Sequence, residues 1–107
     1  VRRSERAIKE ISHWTQRLRL LESWDINFDT EGTYTGQCSF GVEKKEGIIY
    51  DWGKGRMPRE YIFHELLHMA MAVVRESKSY SEQRENEEIL VQDLSQVMMS
   101  LTTSSMS

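Results

Sequence analysis

Ile62 to Val74, IFHELLHMAMAVV, most constrains what this chain can fold into. It is apolar nearly all round at helical spacing, and nothing from Pro58 to about Arg75 breaks a helix. Pro58, the only proline, suits a first helical position, where its missing N–H is not needed. A helix apolar on most sides is expected to be buried on more than one. The other elements must therefore be laid around this segment. With 107 residues there is room for one core and not for two.

The flanking pattern supplies the layers. Ala7, Ile11, Trp14, Leu18 and Leu21 recur at threes and fours after Ser4, a plausible N-cap, so an amphipathic helix is expected over 4–22. Trp24 to Asp29 alternates apolar and polar and reads as a strand. Tyr34, Gly36, Cys38, Phe40 and Val42 alternate again. The charged turn Glu43 to Gly47 then leads into a third strand over Ile48 to Trp52, completing a hairpin. A last helix is expected from about Glu82 to Leu101, with Leu90, Leu94, Val97 and Leu101 inside. A polar tail, Thr102 to Ser107, is expected to fray. The expected fold is α+β: an N-terminal helix, a small three-stranded, antiparallel-rich sheet, a buried central helix and a C-terminal helix, with a core over about 4–101 of one domain, 1–107.

Composition narrows the function. With 38 % hydrophobic residues and 29 % charged, the chain is too apolar for disorder. A net charge of −3 leaves no basic footprint for nucleic acid. No apolar run reaches the roughly 18 residues of a membrane span, and the start, Val1-Arg-Arg, lacks the apolar stretch of a signal peptide. A single cysteine, Cys38, permits no internal disulfide, which fits a reducing compartment. The location expected on these grounds is cytoplasmic. Cys38, on the strand face it shares with Phe40, reads as a small buried hydrophobe, and Met69, Met71, Met98 and Met99 read as core filler.

Within the central helix the spacing is His64-Glu65-Leu66-Leu67-His68, an HExxH pattern. Residues four apart lie one above the other on a helix, so His64 and His68 can aim two imidazole nitrogens at one zinc ion. Zinc lowers the pKa of bound water to about 7, which makes a nucleophile at neutral pH. Glu65, beside the metal and not on it, can take that water's proton as general base and pass it to a leaving amine. Two histidines and a glutamate buried in a core would also need a partner, and one metal would serve all three. A metzincin-type third ligand is excluded, because Met71 and Val74 stand where a Gly and a His are required. His13, beside Trp14, reads as a surface or half-buried histidine. The remaining source of a third ligand is Glu87 or Glu88 of the last helix. Glu87, three before Leu90 and seven before Leu94, is expected on the inner stripe and is preferred, with Glu88 about 100° further round.

HELLH at 64–68 followed by Asn86-Glu87 resembles the gluzincin pattern of zinc peptidases. The small size is similar to the minigluzincins and to small phage and bacterial zincin-fold peptidases. The resemblance in element order covers about residues 4–101. It implies a zinc-dependent endopeptidase on a minimal zincin-like fold, with one zinc ion held by His64, His68 and Glu87, and Glu65 as the base. It implies a protein or peptide substrate paired with an edge strand, Tyr34 to Val42 or Ile48 to Trp52. An inactive or weakly active metal-binding module on the same fold is the alternative, and a non-metal helical interaction domain a third reading. The chain departs from the pattern in having Val91 where an Asp is expected to support the first His, with Asp93 two further on, and in lacking a downstream His for the oxyanion. Tyr61, Tyr80 or an arginine are the groups left for that task.

Overall fold

The computed structural model describes residues 3–30, 37–53 and 55–106, the side chains of 3 and 102–106 excepted. Helix α1 spans Arg3–Thr15, a 3-10 turn Arg19–Leu21, strand β1 Asp25–Asp29, β2 Cys38–Gly41, β3 Glu46–Tyr50, helix α2 Tyr61–Arg75 and helix α3 Tyr80–Met106. The class is α+β, with a three-stranded mixed sheet. No helix among the described residues is long and apolar enough to cross a membrane.

The first helix stops a full two turns before residue 22. Thr15 turns its hydroxyl back on the Ile11 carbonyl at 2.8 Å, and the Arg17 and Leu18 amides both bond to the Trp14 carbonyl at 3.0 Å. Such back-bonding competes with helix continuation. The expected stripe is nonetheless interior: Ala7, Ile11, Leu18 and Leu21 are all buried, the last two carried by the turn instead of the helix.

The sheet runs β1-β3-β2. β2 and β3 form the expected antiparallel hairpin, with Cys38 opposite Ile49 and Gly41 opposite Glu46. Its loop is Val42 to Lys45, where Lys45 takes a left-handed φ of 55°, so β3 starts two residues earlier than the alternation suggested. β1 pairs with β3 in parallel, Asp25 opposite Glu46 and Asp29 opposite Tyr50. The sheet is therefore half parallel and not antiparallel-rich. The described part of the second strand starts at Cys38; Tyr34 and Gly36 lie outside the described residues. β3 is central, so of the two strands expected to offer an edge only β2 has one.

α2 begins at Tyr61, one turn after Pro58, whose carbonyl accepts the Tyr61 amide at 3.2 Å. Ile62, Leu66, Met69 and Ala70 are fully buried against Ala7, Leu18, Leu21 and Ile49. The sheet comes very close: a Cβ on Gly47 would lie 2.8 Å from Met69 Cε. Phe63 meets Trp14 at 4.5 Å between ring centroids. The Tyr61 hydroxyl donates to the Tyr50 carbonyl and lies 3.3 Å from that of Gln37, so it ties the helix start to β2 and β3. The helix is not buried all round, however. His64, His68, Met71 and Arg75, spaced four, three and four, form one exposed stripe.

α3 is capped by Ser79, whose hydroxyl accepts the Glu82 amide at 3.1 Å while the Glu82 carboxylate accepts the Lys78 amide at 3.1 Å. Leu90, Asp93 and Val97 are its buried residues among those described. The expected inner stripe is thus rotated: Leu94 is half-buried, Leu101 is 61 % exposed, and Glu87 faces out. The backbone stays helical to Met106, through the segment expected to fray.

Candidate metal centre

The two histidines converge as their spacing demands. Nε2 of His64 and Nε2 of His68 are 3.2 Å apart, with ring centroids 4.8 Å apart and the planes at 81°. Two nitrogens at about 2.0–2.1 Å from a tetrahedral zinc stand roughly 3.3 Å apart, so the pair fits two corners of such an ion. Both imidazoles are exposed, which corrects the expectation that they are core groups in need of a metal to satisfy them. Water can satisfy them. What points to a metal is their shared aim.

Glu65 is the buried member, 5 % exposed. About 100° per residue places it toward the sheet, where β2 and the start of α2 close over it. It still lines the hollow that His64, His68, Cys38, Phe40 and Arg75 line, and a neighbouring hollow with Trp52, Tyr61 and His64. Cys38, half-buried, presents its thiol to the Glu65 backbone carbonyl at 3.9 Å. Burial pushes this thiol up from 9.0 to about 12, helped by hydrogen bonding to Glu65 and by its charge. Burial likewise pushes the Tyr61 hydroxyl up from 10.0 to about 12, with the Glu65 charge the next cause. The buried Glu65 thus stands beside a thiol and a phenol that both keep their protons, and it lines the hollow that the two histidines line.

The third ligand is not gathered. Among the described residues no three His, Cys, Asp or Glu side chains are grouped to hold a metal. Glu87 and Glu88 are both exposed on α3. α3 comes against α2 near Val73 and Ser77: Asn86 donates to the Ser77 hydroxyl at 3.0 Å, and Asn86, Glu82 and Val73 line one hollow. Val73 follows His68 by five residues, so it lies about 140° around α2 from that imidazole. The contact of α3 with α2 at Val73 and Ser77 thus lies away from the face of α2 that carries the pair.

The supporting groups fall as follows. Val91 is exposed, and Asp93 is engaged elsewhere: its carboxylate takes the Arg19 amide and the Arg19 Nε, each at 2.8 Å. Tyr61 has its hydroxyl tied to backbone carbonyls, and Tyr80 is 73 % exposed with the Arg84 guanidinium over its ring. Of the groups considered for an oxyanion only Arg75 lines the histidine hollow. His13 is a surface histidine, edge-on to Trp14 and 3.2 Å from the Arg17 guanidinium. Gln37, Cys38, Phe40 and Arg75 line the histidine hollow without having been expected there as site residues. The signal for Cys38 was its alternation with Phe40, and for Arg75 its place seven after His68. No known protein family, curated protein or solved structure matches the chain.

Proposed function

We propose that the chain is a zinc-dependent endopeptidase on a minimal zincin-like fold. The observation that carries the reading is the pair of Nε2 atoms 3.2 Å apart with the Glu65 carboxylate in the same hollow. His64 and His68 would hold the ion. Zinc, when bound, supplies a water of pKa about 7 and polarises the scissile carbonyl. Glu65 takes a proton from the attacking water on a carboxylate oxygen and returns it to the leaving amine. Its buried position beside Cys38 and Tyr61 limits competing water, which strengthens its interaction with a developing charge. β2 is the edge strand that borders the hollow, and an extended peptide laid along it would cross the two histidines.

A second reading is a metal-binding module with weak turnover or none. It is favoured by the outward position of Glu87, which the resemblance assigns as third ligand. The two readings part on one set of proteins. In the peptidase, purified wild type carries one zinc, Glu65→Gln keeps it, and cleavage of an unfolded protein substrate is lost. In the module, the metal is present and Glu65→Gln alters nothing measurable. Zinc retained in both Glu87→Ala and Glu88→Ala removes the two acids from the ligand set. Protein without metal, and unable to take it up, refutes both readings.

A further inference from the structure

α3 carries a second apolar stripe, roughly a quarter-turn from its buried face. Val91, Met98 and Leu101 are 51 %, 68 % and 61 % exposed, and Leu94 between them is half-buried. Their spacing of three, four and three is that of a and d positions in a helical seam. Leu94 packs partly against the core, and Val91, Met98 and Leu101 stay mostly exposed; large exposed apolar side chains in a row mark interaction surfaces.

Two features say what fits. The first is symmetry. In an antiparallel pair with its two-fold at residue 96, Val91 stands opposite Leu101 of the second copy and Leu94 opposite Met98, and both contacts repeat in reverse. A three-four-three stripe is thus its own complement, the requirement for an isologous dimer. The second is charge. All five acids of α3, Glu82, Glu85, Glu87, Glu88 and Asp93, precede Leu94, with Arg84 the only base, and no charged residue follows. A parallel pair would align acids with acids. An antiparallel pair about residue 96 overlaps residues 86–106, sets Glu87 and Glu88 over the uncharged end of the second copy's helix and opposes the helix dipoles.

We propose that α3 is a self-association helix, which joins two copies of this chain through an antiparallel Val91–Leu94–Met98–Leu101 seam. The interface is small beside the roughly 1,600 Å² of a standard one, so the dimer is weak and concentration-dependent. It does not depend on a metal at His64 and His68.

The test is sedimentation velocity on the whole chain from micromolar to millimolar concentration. A chelator is present, so that a metal bridging two histidine pairs cannot hold the copies together. A reversible monomer–dimer equilibrium is expected, weakened about tenfold or more in Met98→Glu, whose side chain is outside the core and whose circular dichroism and melting should match wild type. Orientation is read by disulfide trapping in a Cys38→Ser background. A mixture of Val91→Cys and Leu101→Cys chains should cross-link, and neither alone should. A monomer at every concentration overturns the proposal and leaves the stripe to another partner. Self-cross-linking of Val91→Cys, or a dimer untouched by Met98→Glu, overturns the seam.

Discussion

His64→Ala separates a metal ligand from a core histidine, because the structure makes the two roles differ in sign and size. His64 is exposed, so without metal its loss should change stability by no more than about 0.5 kcal/mol. Alanine's better helix propensity offsets the lost imidazole contact with His68, at a few tenths of a kcal/mol each. With metal the account changes. Zinc at 100 times its dissociation constant stabilises a protein by about 2.7 kcal/mol. Unfolding entropy of about 2.1 cal/mol/K per residue, taken over the 107 residues, makes that a rise of about 12 °C in melting temperature. One imidazole cannot hold the ion as two at 3.2 Å do, so the variant should melt where metal-free wild type melts and gain under about 3 °C from zinc. Scanning calorimetry on chelator-treated protein, titrated with zinc, reads both quantities. His13→Ala is the control: its ring is exposed on α1, does not line the histidine hollow, and should leave the zinc response intact when lost. A ligand role for His64 is refuted by a wild type that zinc does not stabilise, by a zinc response that survives in His64→Ala, or by a metal-free variant several degrees less stable, which would make His64 a packing residue.

Two further predictions concern the frame around the site. Asp93→Ala should cost about 2–3 kcal/mol by urea denaturation, since a buried carboxylate accepting two bonds of 2.8 Å from Arg19 is lost, while the half-exposed guanidinium can return to water; a loss under about 0.5 kcal/mol would refute this. Stability should fall as pH rises from about 9 toward 12, because Cys38 and Tyr61 keep their protons in the fold to about 12 but release them near 9.0 and 10.0 when unfolded. Cys38→Ala should remove the earlier part of that fall, and its persistence unchanged would show that the thiol is not held in its neutral form.

Element order was legible in the sequence because period two and period 3.6 are local signals: three strands, the hairpin and both later helices stand near their expected places. The partner of β1 was not legible. Alternation says that a strand has one buried face and nothing about its direction relative to a neighbour distant in the chain, and β1 pairs in parallel across the hairpin's far strand. The end of α1 coincides with a Thr15 hydroxyl turned back on the Ile11 carbonyl, which the apolar period does not announce. In α2 the abundance of apolar residues concealed the stripe that matters: His64, His68 and Arg75 were always within about 40° of one another, and Met71 was the single apolar residue among them.

α3 is where counting apolar residues misled most, for a physical reason. Leu90, Asp93 and Val97 make one stripe, and Val91, Leu94, Met98 and Leu101 make another, with Leu94 on their border. The expected inner stripe combined members of both, and Glu87, four before Val91 and seven before Leu94, belongs to the exposed one. The rule used to select it was sound: an acid on a core stripe has to be paired. The acid that meets the condition is Asp93, and its partner is Arg19, 74 residues away in sequence. A metal was therefore not the only answer to a buried carboxylate on this helix. The case for zinc has to rest on α2 alone, where two exposed imidazoles share one point and a buried glutamate stands beside them.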